Sequence, residues 1–67
     1  LAAIKILTIA IELKPSYVKA YITRGIALAE TNRLKEGLDD FNYAISIEPH
    51  NRAAIENRAS LLKKFNQ

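Results

Sequence analysis

The sequence predicts an all-α array of antiparallel helix-turn-helix repeats, about four helices in all, and three observations carry that prediction. The chain echoes itself at an offset of 34 residues: Ala10, Ile11, Pro15, Ala20, Arg24, Leu28 and Asn32 recur as Ala44, Ile45, Pro49, Ala54, Arg58, Leu62 and Asn66. That is seven identities among 33 pairs, where roughly two are expected by chance at ordinary composition. Tyr21, Leu28, Leu34, Leu38, Phe41, Ile45 and Ile47 recur at three- and four-residue spacing, the apolar stripe of packed helices, and no strand alternation competes with it. Breaks at Pro15-Ser16, Asn32 and Pro49-His50-Asn51 are too short to let successive helices run other than antiparallel. A fixed period of this length is the mark of a solenoid, which acts through its surfaces more than through a catalytic cleft.

The elements follow from the punctuation. A first helix over about 1–14 ends at Pro15, which cannot continue it, and Ser16 is expected to cap the second, over about 17–31. Asn32 tolerates the left-handed turn that reverses the chain into a third helix over about 33–47. Pro49 ends that helix, and Asn51 is expected to cap a fourth over about 51–66. Gly25 and Gly37 both fall inside helices, where each costs about 1 kcal/mol relative to alanine. Close approach of two helix backbones is the expected reason, with Ala44 and Ala59 as similarly small positions.

Size and composition set bounds. A chain of 67 residues is one small domain or part of a larger one, and hides only about 60% of its unfolded surface. It has no cysteine, so neither disulfides nor thiolate metal sites staple it, and neighbouring repeats or a partner are expected to supply stability. The net charge of +3 comes from ten basic and seven acidic residues scattered along the chain, an ordinary solvated surface. Lys5, Thr8 and Glu12 interrupt the apolar start, which falls short of the ~20 residues of a membrane span. It also lacks the basic leader and cleavage site of a secretory signal. The reading leans to a cytoplasmic or other intracellular setting, and residue 1 is not expected to be a natural start.

Catalysis finds little support. His50 stands alone beside Pro49, with no nucleophile motif to serve. Asp39 and Asp40 are adjacent and point in different directions on a helix, poor geometry for an acid and base pair. The two glycines lie twelve residues apart within helices and make no phosphate loop. The expectation is a non-enzymatic chain with no catalytic residue, no cofactor and no metal. Arg52, Arg58, Lys63 and Lys64 make the last helix locally basic, but Glu56 interrupts it, so nucleic acid is not the expected partner.

Tyr21, Arg24, Gly25, Leu28, Gly37, Phe41, Ala44 and Pro49 fall at the spacing of a known signature, and with them the chain resembles the tetratricopeptide repeat family. Tyr21 stands for tryptophan, Arg24 for leucine, Leu28 for tyrosine and Gly37 for alanine. In this frame residues 1–17 are the second helix of a preceding repeat, 18–51 a complete repeat, and 52–67 the first or capping helix of a following one. Arg24 and Arg58 are then expected to be structural, their stems along the helix pair and their guanidinium groups on polar partners.

The resemblance implies a non-enzymatic adaptor or scaffold that binds a peptide or protein segment in a concave groove lined by the first helix of each repeat. Those positions are Lys19, Ile22, Ile26, Ala29 and Glu30, then Ala53, Glu56, Ser60 and Lys63. Ile22 and Ile26 do not coincide with the packing signature and are expected to offer apolar surface to a partner or to a neighbouring helix. The lysine, arginine and asparagine clamp of family members that hold acidic chaperone tails is incomplete here. An alternative is self-association into a homo-oligomer: ten of the thirteen residues from Leu1 to Leu13 are apolar, more than one helix face needs. Glu56, Ser60, Lys63, Lys64 and Gln67 give the last helix a wettable, cap-like side.

Overall fold

Four helices follow one another in the computed structural model, which describes residues 2–66: α1 (Ala2–Leu13), α2 (Val18–Glu30), α3 (Leu34–Ile47) and α4 (Arg52–Phe65). Among the described residues there is no strand, so the chain is all-α. Leu1, the expected start of the first helix, and Gln67, expected on the wettable side of the last segment, lie outside the described residues.

The first and third turns are one turn made twice. The Tyr17 amide donates to the Lys14 carbonyl at 3.0 Å, and the Asn51 amide donates to the Glu48 carbonyl at 3.0 Å, so the bond recurs 34 residues on. The two differ in their caps. Asn51 Oδ1 accepts a hydrogen bond from the Ala54 amide at 3.1 Å, as expected. The cap expected at Ser16 is corrected: Tyr17 holds the cap position of α2 and offers no side-chain bond. Ser16 stands one residue too early, because a capping oxygen must sit directly before the helix to reach amides two and three residues on.

The second turn closes α2 from within. Asn32 takes a left-handed φ of 64°, and the amides of Asn32 and Arg33 donate to the carbonyls of Ala29 at 3.1 Å and Leu28 at 2.8 Å. This paired closure satisfies the last carbonyls of the helix and turns the chain back at once.

All three other helices pack on α2, and α3 also packs on α4. Phe41 and Leu61 are the largest fully buried side chains, and Val18, Ile22, Ala44 and Ala54 join them in the core. The glycines allow the closest approach. A Cβ on Gly37 would lie 2.9 Å from the Gly25 carbonyl oxygen, and one on Gly25 would meet the Phe41 ring. Ala59, expected as a small packing position, is exposed instead, and so is Phe65, because no described helix lies over their side of α4.

Arg24 ties three helices together. Its Nε and Nη2 donate to the two carboxylate oxygens of the buried Asp40 on α3, at 2.7 and 2.6 Å. Its Nη1 reaches Thr8 Oγ1 on α1 at 3.3 Å, and its guanidinium stands 5.5 Å from the centre of the Tyr21 ring. The bidentate bond to Asp40, more than the cost of burial, raises the guanidinium's affinity for its proton. Arg58 makes the equivalent backward contact, Nη1 donating to Asn42 Oδ1 at 2.9 Å.

Candidate functional site

The two first-type helices, α2 and α4, lie side by side, and their seam opens into two hollows. Residues near both N-termini, Lys19 and Ile22 of α2 with Ala53 of α4, line one of about 550 Å³. Residues toward both C-termini, Ile26, Ala29 and Glu30 of α2 with Ser60 of α4, line a second of about 130 Å³. The pairing of N-terminal with N-terminal residues means that α2 and α4 run parallel, as equivalent helices one repeat apart.

The seam therefore collects seven of the nine expected groove residues, and Glu56 and Lys63 are the two it omits. Glu56 is drawn along its own helix to Arg52, with Arg52 Nε donating to its carboxylate at 2.9 Å, and Lys63 is exposed on the flank. Asn57, Leu61 and Lys64 take the lining positions of α4 instead. The sequence carried that signal, because 53, 57, 60 and 64 are spaced by four, three and four and form a single helical stripe. The Asn57 amide is steadied by donating to the Ala53 carbonyl at 2.8 Å.

Ile22, expected to offer its apolar surface to a partner or to a neighbouring helix, is 7% exposed and belongs to the core. It shares the core cluster with Ala54 and Leu61 of α4 and lines the larger hollow. Ile26 and Ala29 are half-buried and pack on the core from the wall of the smaller one. Fully buried Phe41 and Leu61 floor that hollow.

Charges rim the seam in both signs. Lys14, Lys19 and Glu48 border the larger hollow, while Glu30 and Lys64, one repeat apart, face the smaller one across the seam. Among the described residues no group of three or more histidine, cysteine, aspartate or glutamate residues is placed to hold a metal ion. No described helix is long and apolar enough to cross a membrane. The seam can take up apolar side chains of an extended or helical segment and orient them by mixed charge at its edges.

Fold and seam define an all-α helical repeat. In sequence the chain is similar to the UDP-N-acetylglucosamine–peptide N-acetylglucosaminyltransferase of Giardia intestinalis (strain ATCC 50803 / WB clone C6), 40% identical over 48 residues. Those residues are 72% of this chain and 3% of that protein, so the chain spans a small fraction of the curated relative it matches. No family model matches the chain, and no solved structure matches it.

Proposed function

We propose that the chain is a tetratricopeptide-type interaction module, a non-enzymatic adaptor or scaffold that holds a segment of another protein along the α2–α4 seam. One observation carries the reading: two adjacent hollows share the same pair of helices as walls, with apolar floors and rims of both charge signs. A segment that seats an apolar side chain against Ile26 and Ala29 and places charges toward Lys64 and Glu30 fits this surface. The catalytic chemistry in the relative's name is not extended to a chain that matches 3% of its length.

The test is selection of binding peptides from a random library, followed by affinity measurements on variants. Ile26→Ser should weaken selected peptides about tenfold, which is ~1.4 kcal/mol, while circular dichroism stays unchanged. Unchanged affinity would remove the seam from the reading. Retention on single-stranded RNA that falls steeply with salt would move the chain to a different class of module.

A second reading is self-association through α1. Its outer residues Ile6, Ile9 and Leu13 are exposed, Leu13 by 82%, more apolar surface than an isolated helix face usually leaves to water.

A further inference from the structure

The charges along the α2–α4 seam do not obey the 34-residue register, and at two positions they change sign. Lys14, on the turn before α2, becomes Glu48 on the turn before α4, and Glu30 in the last turn of α2 becomes Lys64 in the last turn of α4. Lys19 becomes the uncharged Ala53. The two walls of the seam therefore differ electrically although their helices are equivalent. Both lysines of the larger hollow stand on the α2 side, and its one acid, Glu48, stands on the α4 side.

That acid is already engaged. Glu48 Oε1 accepts from Asn51 Nδ2 at 2.8 Å, and Asn51 in turn caps α4 through the Ala54 amide, so Glu48 is drawn toward the cap. Among the described residues neither Lys14 nor Lys19 forms an ion pair. The larger hollow thus presents two lysines against one committed glutamate, and a concave surface focuses such an excess of one sign. The smaller hollow is balanced, with Glu30 and Lys64 over an apolar floor of Phe41 and Leu61.

We propose that the segment held along the seam carries a side-chain carboxylate, seated beside Lys14 and Lys19 in the larger hollow, a few residues from the apolar side chain that fills the smaller one. This deepens the peptide-binding reading and rests on it. Complementary charge selects the occupant and sets its direction along the seam. The wall sets the spacing. Helix α2 lines the larger hollow between residues 18 and 23 and the smaller one between 26 and 30. The two centres are therefore about eight residues, or ~12 Å, apart along the helix, which an extended chain covers in about three or four residues.

The test is selection from a displayed random-peptide library, followed by fluorescence anisotropy of the recovered peptides. They are resynthesised with an amidated C-terminus, so that only a side chain supplies the carboxylate. An aspartate or glutamate about three or four positions from an apolar residue should recur among them. Replacing that acid by its amide should weaken binding to the wild-type chain roughly fivefold, the scale of two exposed ion pairs. The same replacement should change nothing on the chain that carries both Lys14→Gln and Lys19→Gln. Glu48→Gln, which keeps an acceptor for Asn51, should tighten the acidic peptides and leave their amide versions unchanged. Affinity for the acidic peptides should fall as salt rises on the wild-type chain and stay level on the double lysine variant. All three substituted side chains are exposed, and circular dichroism melts check that the variants fold. Selected peptides without the acidic residue, or an amide effect that persists on the double lysine variant, overturn the proposal. Either result leaves the seam standing as long as Ile26→Ser still weakens the same peptides. If Ile26→Ser has no effect, the peptides lie off the seam and both readings fall, and a library that yields no binder removes both as well.

Discussion

Gly25 lies so close beneath Phe41 that a Cβ added to it would stand 2.5 Å from the ring carbon Cε1. Gly25→Ala removes a helix penalty of about 1 kcal/mol but overpacks the core at a cost of ~1–3 kcal/mol. A net loss near 1 kcal/mol is expected in denaturant unfolding. Phe41→Leu should cost less in the Gly25→Ala background than alone, because the smaller side chain admits the new methyl. Strictly additive losses in this double-mutant cycle would show that the two positions do not press on each other. Gly37→Ala should be worse than Gly25→Ala, since its Cβ would meet a backbone oxygen, which cannot swing aside.

Removing the carboxylate at position 40 should loosen two interfaces together. Asp40→Asn takes the charge-assisted bonds from Arg24, and hydrogen bonds to charged groups are worth roughly 1.5–3 kcal/mol. A loss of about 2 kcal/mol is expected in the denaturant midpoint. Because the same guanidinium reaches Thr8, amide exchange in α1 should quicken as well as in α3. Faster exchange in α3 alone would mean that Arg24 does not couple the helices.

The two equivalent turns predict effects of opposite sign. Asn51→Ala removes the cap of α4 and should cost about 1 kcal/mol, whereas Tyr17→Asn installs a cap on α2 and should gain roughly 0.5–1 kcal/mol. Thermal melts of the two variants check both, and a destabilised Tyr17→Asn would show that the tyrosine ring packs in the turn more than its exposure indicates.

One acid is tuned by its neighbour. Arg33 donates to Glu36 through Nε at 3.0 Å and Nη2 at 2.6 Å, and that hydrogen bonding holds the Glu36 carboxyl below the ordinary glutamate value. A depressed folded-state value makes the pair favourable above the unfolded-state value, with the contribution fading as pH falls through the folded-state one. Carboxyl chemical shifts followed by NMR should place Glu36 below an ordinary glutamate, and Arg33→Gln should return it to the ordinary range. An unmoved midpoint in Arg33→Gln would assign the shift to another cause.

Much of the fold could be read from residues whose effects are local. Asn32 at its left-handed turn, Asn51 at its cap and the two helical glycines each announce a backbone need that few other side chains meet. The 34-residue echo placed α2 and α4 as equivalent helices, and with them most of the seam. Which of its two expected roles Ile22 takes was not legible, because a position that does not repeat carries no trace of the contacts that bury it. Its spacing of four from Val18 was the available clue, since both belong to the core. Glu56 and Lys63, which the resemblance implies as groove residues, line neither hollow, whereas Asn57 and Lys64 line the smaller one.

Among the described residues α1 rests on α2 alone, while α3 is held by both α2 and α4, and this sets an order of failure under mechanical load. Tension applied through the two ends should peel α1 away first, snapping the Thr8 tether and leaving the central pair of helices intact. The chain then lengthens by one helix on its N-terminal side, and yields slack to whatever pulls on it before it gives up the seam.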